Sequence, residues 1–380
     1  MSTFARGLAV LALFCLSAAI PQASQDKDKK DKQDKQDPGQ QAEIRALITS
    51  VDEAMAGKPA ANTLTLKWEQ EHFIKAQANR TYIPFTLAID PPAFTTTTPV
   101  GVYLRVAKKG QPPAAAPPPP TDGKKGEKEA APPSQYAFED IFFLDAAPAA
   151  TGQPQRIRRA FAVEPGEYQV FAAVKEKAAA PAPGAPTSAA PASAAPPASG
   201  DAAAAKGPKL GVLEHDLTVP SLEGADLTTS SIIIAEKVDV LQTPMPTERQ
   251  ADNPYTFGQM KISPSRNNAF TKKDDLNVIF WIYGAATDPA TKKPNLSVDF
   301  NFSQKLADGE KYFNKTDPQE LNASTLPPEF DLAAGHQLPG SLQVPLASFP
   351  EGEYHLQVKV ADKVSGKTIT RDVNFTVAAQ

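Results

Sequence analysis

Two matching phrases constrain this chain more than anything else in it. Residues 159–174 read Arg-Ala-Phe-Ala-Val-Glu-Pro-Gly-Glu-Tyr-Gln-Val-Phe-Ala-Ala-Val, and residues 348–360 read Ser-Phe-Pro-Glu-Gly-Glu-Tyr-His-Leu-Gln-Val-Lys-Val. Each is a turn built on Pro, Glu and Gly, followed by a strand that alternates apolar and polar positions. Two copies of one β-hairpin imply two related β-sandwich domains. A chain of 380 residues has room for both and for linkers.

The rest of the pattern agrees with an all-β chain. Residues 64–68, 82–89, 100–106, 136–144, 156–163 and 210–219 carry strand signals, with turn residues between them. Pro84 inside the second of these marks an edge strand or a bulge, because Pro cannot donate to a ladder. Of the 38 prolines, 15 fall in two stretches rich in Pro and Ala, 108–134 and 178–208. Neither has the apolar residues to join a core, so both read as disordered or extended loops. The second stretch interrupts a hairpin, because strand patterning resumes at Leu210 and the C-terminal copy closes the same hairpin with the short turn 362–367. Such an expansion costs little, since loop-closure entropy grows only logarithmically with length.

Residues 1–23 read as a secretory signal: Arg6, a short apolar run from Leu8, then small residues at Ser17, Ala18, Ala19 and Ala23. The apolar run is too short to span a bilayer comfortably, and no second run is long enough, so no transmembrane segment is expected after cleavage. Residues 24–41, rich in Lys, Asp and Gln, read as a disordered charged tether. Residues 42–57 read as a short amphipathic helix, with Ile44, Leu47, Ile48, Val51 and Met55 on one face and Gly57-Lys58-Pro59 as its stop. The first sandwich is expected over 62–242, a Pro-rich linker over 243–254 and the second sandwich over 255–378. The fold class is thus all-β: two immunoglobulin-like β-sandwich domains with a short N-terminal helix and disordered low-complexity segments.

Several stretches carry a family resemblance: 163–174, 217–235 with Leu-Thr-Thr-Ser-Ser-Ile-Ile-Ile-Ala inside it, 255–262 with Phe257-Gly258, 276–283, and 349–377. Together they resemble the β-sandwich region of secreted bacterial proteins named for a Gly-Trp-x-Thr-Asp motif, and of related von Willebrand factor A proteins. The naming motif itself is absent: Trp68 is followed by Glu-Gln and Trp281 by Ile-Tyr. The Asp-x-Ser-x-Ser signature of an A domain is absent too. The resemblance implies a sandwich fold and an exported location, and it transfers no site residue.

Composition narrows the chemistry. The net charge is −4 with Lys and Arg nearly balancing Asp and Glu, so no phosphate-tracking surface and no nucleic-acid partner are expected. The single cysteine, Cys15, lies in the apolar leader, which leaves no thiol for a disulfide, a zinc site or a nucleophile after cleavage. The four histidines, His72, His215, His336 and His355, show no metal-ligand spacing. Asp274, Asp275 and Asp299 have hard oxygens suited to calcium, but two adjacent Asp before a strand also read as a turn. There is no nucleophile elbow and no phosphate loop. No cofactor, metal site or catalytic residue is therefore assigned.

Trp281 and Tyr283 are the candidate partner-facing residues. In the run 276–283 they point to one side and Phe280 and Ile282 to the other. With one sheet face open they would form a stacking platform for a sugar or a partner; with both faces covered they would be core. The functional expectation is an exported, periplasmic or extracellular, non-catalytic protein. It would bind or scaffold another envelope macromolecule, protein or polysaccharide. The alternatives are a carbohydrate-binding module and an enzyme with a rim-loop site.

Overall fold

The computed structural model describes residues 38–59, 62–91, 93–110, 135–150, 152–177 and 208–379. The expected signal at 1–23, most of the tether (24–37) and most of the two Pro/Ala stretches (111–134 and 178–207) lie outside these residues. Within them the chain folds as two β-sandwiches that share a buried seam, with one long helix on the first.

Helix α1 (Pro38–Met55) begins four residues earlier than its apolar pattern predicts, so Pro38 to Gln41 belong to the helix and not to the tether. The first sandwich has two sheets. One places β3 (Thr81–Ile89) between β6 (Gln155–Val163) on one side and β1 (Leu66–Glu71) and β2 (Ile74–Lys75) on the other. The second runs β5 (Phe138–Ala146), β4 (Thr98–Lys108), β7 (Gly166–Glu176), β8 (Leu210–Val219). Their inner faces enclose Ile83, Phe85, Val102, Leu104, Phe161, Val170 and Leu217.

β3 is a central strand, not an edge, despite Pro84. The backbone of Pro84 faces the break between β1 and β2. There its carbonyl accepts the His72 N–H at 3.1 Å, and the missing Pro N–H falls where the partner strand is already interrupted.

Helix α1 lies on the outer face of the second sheet. Leu47 and Val51, both fully buried, pack on Tyr103, Phe171 and Ala173. Gly101 makes room for this, because a Cβ there would sit 2.9 Å from Leu47 Cδ1. Beneath the helix the buried Arg105 guanidinium donates to Asp52 at 2.5 Å and to the Tyr103 hydroxyl at 2.8 Å. It also pairs with Glu139 at 3.3 Å, and it lies 4.2 Å from the Tyr136 ring. Lys175 pairs with the buried Glu43 near the other end of the helix.

The second sandwich begins earlier than the sequence predicts. β9 (Thr228–Thr229) and β10 (Ile233–Val240) pair with β14 (Asp275–Tyr283), and β10 also pairs with β12 (Met260–Pro264). The segment 228–240 therefore belongs to the second sandwich, and the stretch 220–227 is the connection. The Pro-rich 243–254 stretch, with the one-turn helix α2 (Thr247–Gln250), is a loop within the second unit. The error has a physical origin: a strand signal is local, and the partner it chooses is not.

The sheet that holds β14 is completed by β11 (Thr256–Phe257) and β18 (Leu338–Pro345). Opposite it lies a sheet of β13 (Ala269–Thr271), β20 (Thr368–Ala378), β19 (Gly352–Asp362) and β15 (Leu296–Leu306), then β16 (Gly309–Lys315) and β17 (Gln319–Leu321). Phe280, Phe300, Phe302, Tyr354, Leu356 and Phe375 fill the space between them.

The hairpin repeat is visible in the registers. Gly166 pairs with Val219 and Tyr168 with Leu217, while Gly352 pairs with Val377 and Tyr354 with Phe375. Both glycines open their strand at positive φ, 151° and 142°, a backbone that favours Gly. β7 and β8 are neighbours, so the 178–208 stretch links two strands of one hairpin.

Candidate functional site

Strand β14 has both faces covered. Its inner face serves the second core, and its outer face packs against the first sandwich. There Ile279, Trp281 and Tyr283, with Ile233, Ala235, Tyr255 and Ile262, meet Phe73, Ile74, Tyr82 and Leu222. This explains why the strand is a nearly continuous apolar run instead of an alternating one.

Trp281 and Tyr283 therefore do not face a partner. They are 4% and 8% exposed and lie in the seam between the sandwiches. Trp281 packs edge-on against Phe257 with 4.7 Å between ring centroids, and the Tyr283 hydroxyl accepts the Lys75 N–H at 3.1 Å. The face that could have stacked a sugar is occupied by the first sandwich. Strand alternation identifies the two residues as a pair on one face, but it cannot say that another domain covers that face.

Polar groups close the seam. Phe73 donates its N–H to Ser231 Oγ at 2.8 Å and accepts the Ser231 N–H at 2.9 Å. Gln70 donates to the Ser265 carbonyl at 3.0 Å, and Tyr82 donates to that of Pro254 at 2.9 Å. Arg159 pairs with Asp252 at 2.6 Å. At the centre His72 Nδ1 lies 2.8 Å from the Tyr255 hydroxyl, which lies 3.3 Å from the Pro84 carbonyl. With the proton on Nδ1, His72 donates to Tyr255 and the Tyr255 proton is free for Pro84, so both groups are satisfied. Burial pushes the His72 pKa down to about 4 and the Tyr255 pKa well up.

The other histidines lie apart from His72 and from one another. His215 stacks on Trp68, which stacks on Phe85, and its Nε2 is 3.4 Å from Glu71. His336 Nδ1 accepts the Asp331 N–H at 3.0 Å within a loop. His355 sits on the outer face of β19 between two carboxylates, Glu310 at 2.9 Å and Asp372 at 2.9 Å. Burial works against its charged form, but the hydrogen bonds and charges of Glu310 and Asp372 outweigh it and raise the pKa. With both ring nitrogens held this way, the His355 imidazolium is favoured and clips β16, β19 and β20 together.

The carboxylates serve turns. Asp274 accepts from Thr271 N and Oγ1 at 2.7 and 2.9 Å, and Asp275 accepts from Gln343 at 2.9 Å. The sequence does not single out Asp362, the most engaged carboxylate of the second sandwich. Buried at the end of β19, it accepts from Ala286 N, Val364 N and Ser365 Oγ. Burial raises its pKa, and these donors outweigh that and lower it. Its position opposite an invading loop has no sequence signal. Among the described residues, no cluster of three or more His, Cys, Asp or Glu is placed to hold a metal ion, and no helix is long and apolar enough to cross a membrane.

A hollow of about 1250 Å³ opens at one end of the first sandwich, lined by Arg80, Lys108, Lys109, Tyr136, Glu164 and Tyr168 among others. Three of its polar side chains are engaged in the fold. Arg80 donates to the Ala162 carbonyl, Lys109 pairs with Asp216 at 2.8 Å, and Tyr168 donates to the Glu164 carbonyl at 2.9 Å.

No protein-family model matches the chain. No curated protein matches it either. Among solved structures it is similar to an immunoglobulin-like protein from Pseudomonas aeruginosa, at 10% identity over 39% of this chain and 97% of that one, with a TM-score of 0.19. It is also similar to trypsin-activated alpha-2-macroglobulin from Escherichia coli, at 11% identity over 84% of this chain, with a TM-score of 0.21. The chain spans only 16% of that protein's length. These overlays are loose, and the assignment of two immunoglobulin-like sandwiches rests on the strand pairing described above.

Proposed function

We propose that the chain is an exported, non-catalytic scaffold that holds another envelope macromolecule against one broad sheet face. The observation that carries this reading is the seam. By consuming the outer face of β14, it ties both sandwiches into one body, while among the described residues the outer face of β13-β20-β19-β15-β16 stays open. That face presents Tyr312, 60% exposed, with Glu353, Lys359, Thr370, Asp372 and Asn374. It is polar and open, and it suits a protein or polysaccharide partner better than a small ligand, which needs concavity. The leader-like N-terminus and the resemblance to secreted Gly-Trp-x-Thr-Asp proteins support export. The sugar-platform alternative loses its motive with Trp281 and Tyr283 in the seam.

The test is capture from envelope extract with the chain as bait. Wild type should retain a defined partner, and a Tyr312→Asp, Lys359→Glu variant should lose it while keeping its thermal midpoint. Unchanged capture by that variant would exclude this face. Loss of capture or phenotype in a His215→Gln, His336→Gln variant that still folds would instead favour an enzyme at a rim loop.

A further inference from the structure

We propose that His72 is an acid-operated clasp: its protonation loosens the seam between the two sandwiches while each keeps its own core. The inference does not depend on what the outer sheet face binds.

The geometry places the imidazole where a charge acts only on the seam. His72 lies in the two-residue break between β1 and β2, outside the first core, and is 6% exposed. Its polar partner, Tyr255, comes from the second sandwich, across 183 positions of sequence. The ring edge packs against Tyr255, with centroids 5.5 Å apart and planes at 85°. The apolar residues of the seam, Phe73, Ile74, Trp281 and Tyr283 among them, offer no counter-charge.

The ionisable groups around the pair do not compensate. Glu71, the preceding residue, holds the Trp68 indole N–H, and its negative charge on Tyr255 is weaker than the opposing positive charge of Arg158. Tyr82 on β3 has its hydroxyl committed to Pro254. Arg158 on β6 acts on Tyr255, and its positive charge would oppose an imidazolium. Tyr255 itself is held neutral by burial.

The direction follows from linkage. His72 has a depressed pKa of about 4 in the closed seam, against 6.5 for an exposed imidazole. The open state therefore binds the proton more tightly. The seam is unaffected above pH 6.5, and the open-to-closed ratio rises as pH falls from 6.5 to about 4. Over that window the ratio should rise roughly tenfold per pH unit and level off below it.

Hydrogen exchange on the full chain reads this ratio. The amides of Phe73, Lys75 and Ser231 are bonded across the seam and report its opening; those of β15 and β19 report the second core. After correction for intrinsic exchange, seam protection should fall about fortyfold between pH 6.5 and 4.5 while core protection stays level. His72→Asn keeps a donor near the Nδ1 position and cannot charge, so its seam protection should be flat across the same range. Flat seam protection in wild type, or the same slope in His72→Asn, would overturn the proposal. Should His72→Asn already be open at pH 7, the His72 ring titration in wild type decides by NMR. A midpoint near 4 supports the clasp, and one near 6.5 with an intact seam rejects it.

Discussion

Tyr168 and Tyr354 hold the same position in two hairpins, each donating its hydroxyl to the carbonyl oxygen four residues earlier. Tyr168 reaches Glu164 at 2.9 Å and Tyr354 reaches Pro350 at 2.7 Å. Both side chains are almost fully buried, at 1% and 0% exposed. The bond fastens the Pro-Glu-Gly turn onto the first residues of the strand, much as a tyrosine corner does in other sandwiches. Tyr168→Phe and Tyr354→Phe should each lose about 1 kcal/mol, measured by urea unfolding. Stability unchanged in either variant would show that the repeat is one of sequence only.

A second prediction concerns Phe280 and Gly340. They are cross-strand partners, and a Cβ at position 340 would lie 2.1 Å from Phe280 Cζ. The ring lies directly over the glycine. Gly340→Ala should cost about 3 kcal/mol or more through overpacking. Phe280→Leu alone should cost less than about 3 kcal/mol, and the double variant should regain part of the loss. A strictly additive double variant would mean that the two sites do not share this space.

The outer-face clip gives a pH signature opposite in sign to that of the seam. His355 has a raised pKa, so its stabilisation is complete below 6.5 and is lost as pH rises through the raised value. His355→Gln should therefore lower the unfolding midpoint at pH 5.5 more than at pH 8.5. An equal drop at both pH values would show that Glu310 and Asp372 hold the neutral ring equally well.

The charge beneath α1 offers a further test. Arg105 is 3% exposed and is held by Asp52, Glu139 and Tyr103. Arg105→Ala should cost about 3 kcal/mol, because it leaves the carboxylates without their buried partner and removes packing under the helix. Limited proteolysis of α1 should accelerate in that variant. Unaltered cleavage at 38–59 would show that Leu47 and Val51 hold the helix unaided.

The long hairpin connection should be expendable. β7 and β8 pair as far as Lys175 and Leu210, and the Glu176 N–H donates to the Lys209 carbonyl at 2.8 Å. The strand ends are therefore already as close as those joined by 363–367 in the other copy. Replacing 178–207 with a five-residue Gly-Ser turn should leave the thermal midpoint unchanged or slightly raised. A collapse of cooperative unfolding would reject this.

Local pattern carried much of the architecture. The Pro-Gly-Glu-Tyr repeat, the alternation in β19 and the Leu47/Val51 spacing each fix a face, and each face is where the pattern puts it. What escaped the sequence was non-local. Ile233 and Ile234 look alike as strand residues whether they close the first sandwich or open the second. Trp281 looks alike whether its face meets water or a neighbouring domain. His72 carries no signal at all, because a lone histidine beside a Glu is ordinary and only the fold sets it opposite Tyr255. Asp362 was likewise invisible in full, since only the fold brings the Ala286 N–H, 76 positions away, to its carboxylate.

The two-sided burial of β14 sets how the chain can be dissected. A fragment starting at the Pro-rich 243–254 loop would leave β9 and β10 behind, opening a raw edge along β14 between Asn277 and Tyr283. It would also bare Ile279, Trp281 and Tyr283 to water. Such a piece would present an unpaired apolar strand, the usual seed of intermolecular sheet growth, and would precipitate instead of yielding a usable domain. A second half that begins near Pro220 keeps that edge covered by β9 and β10, yet still bares the seam.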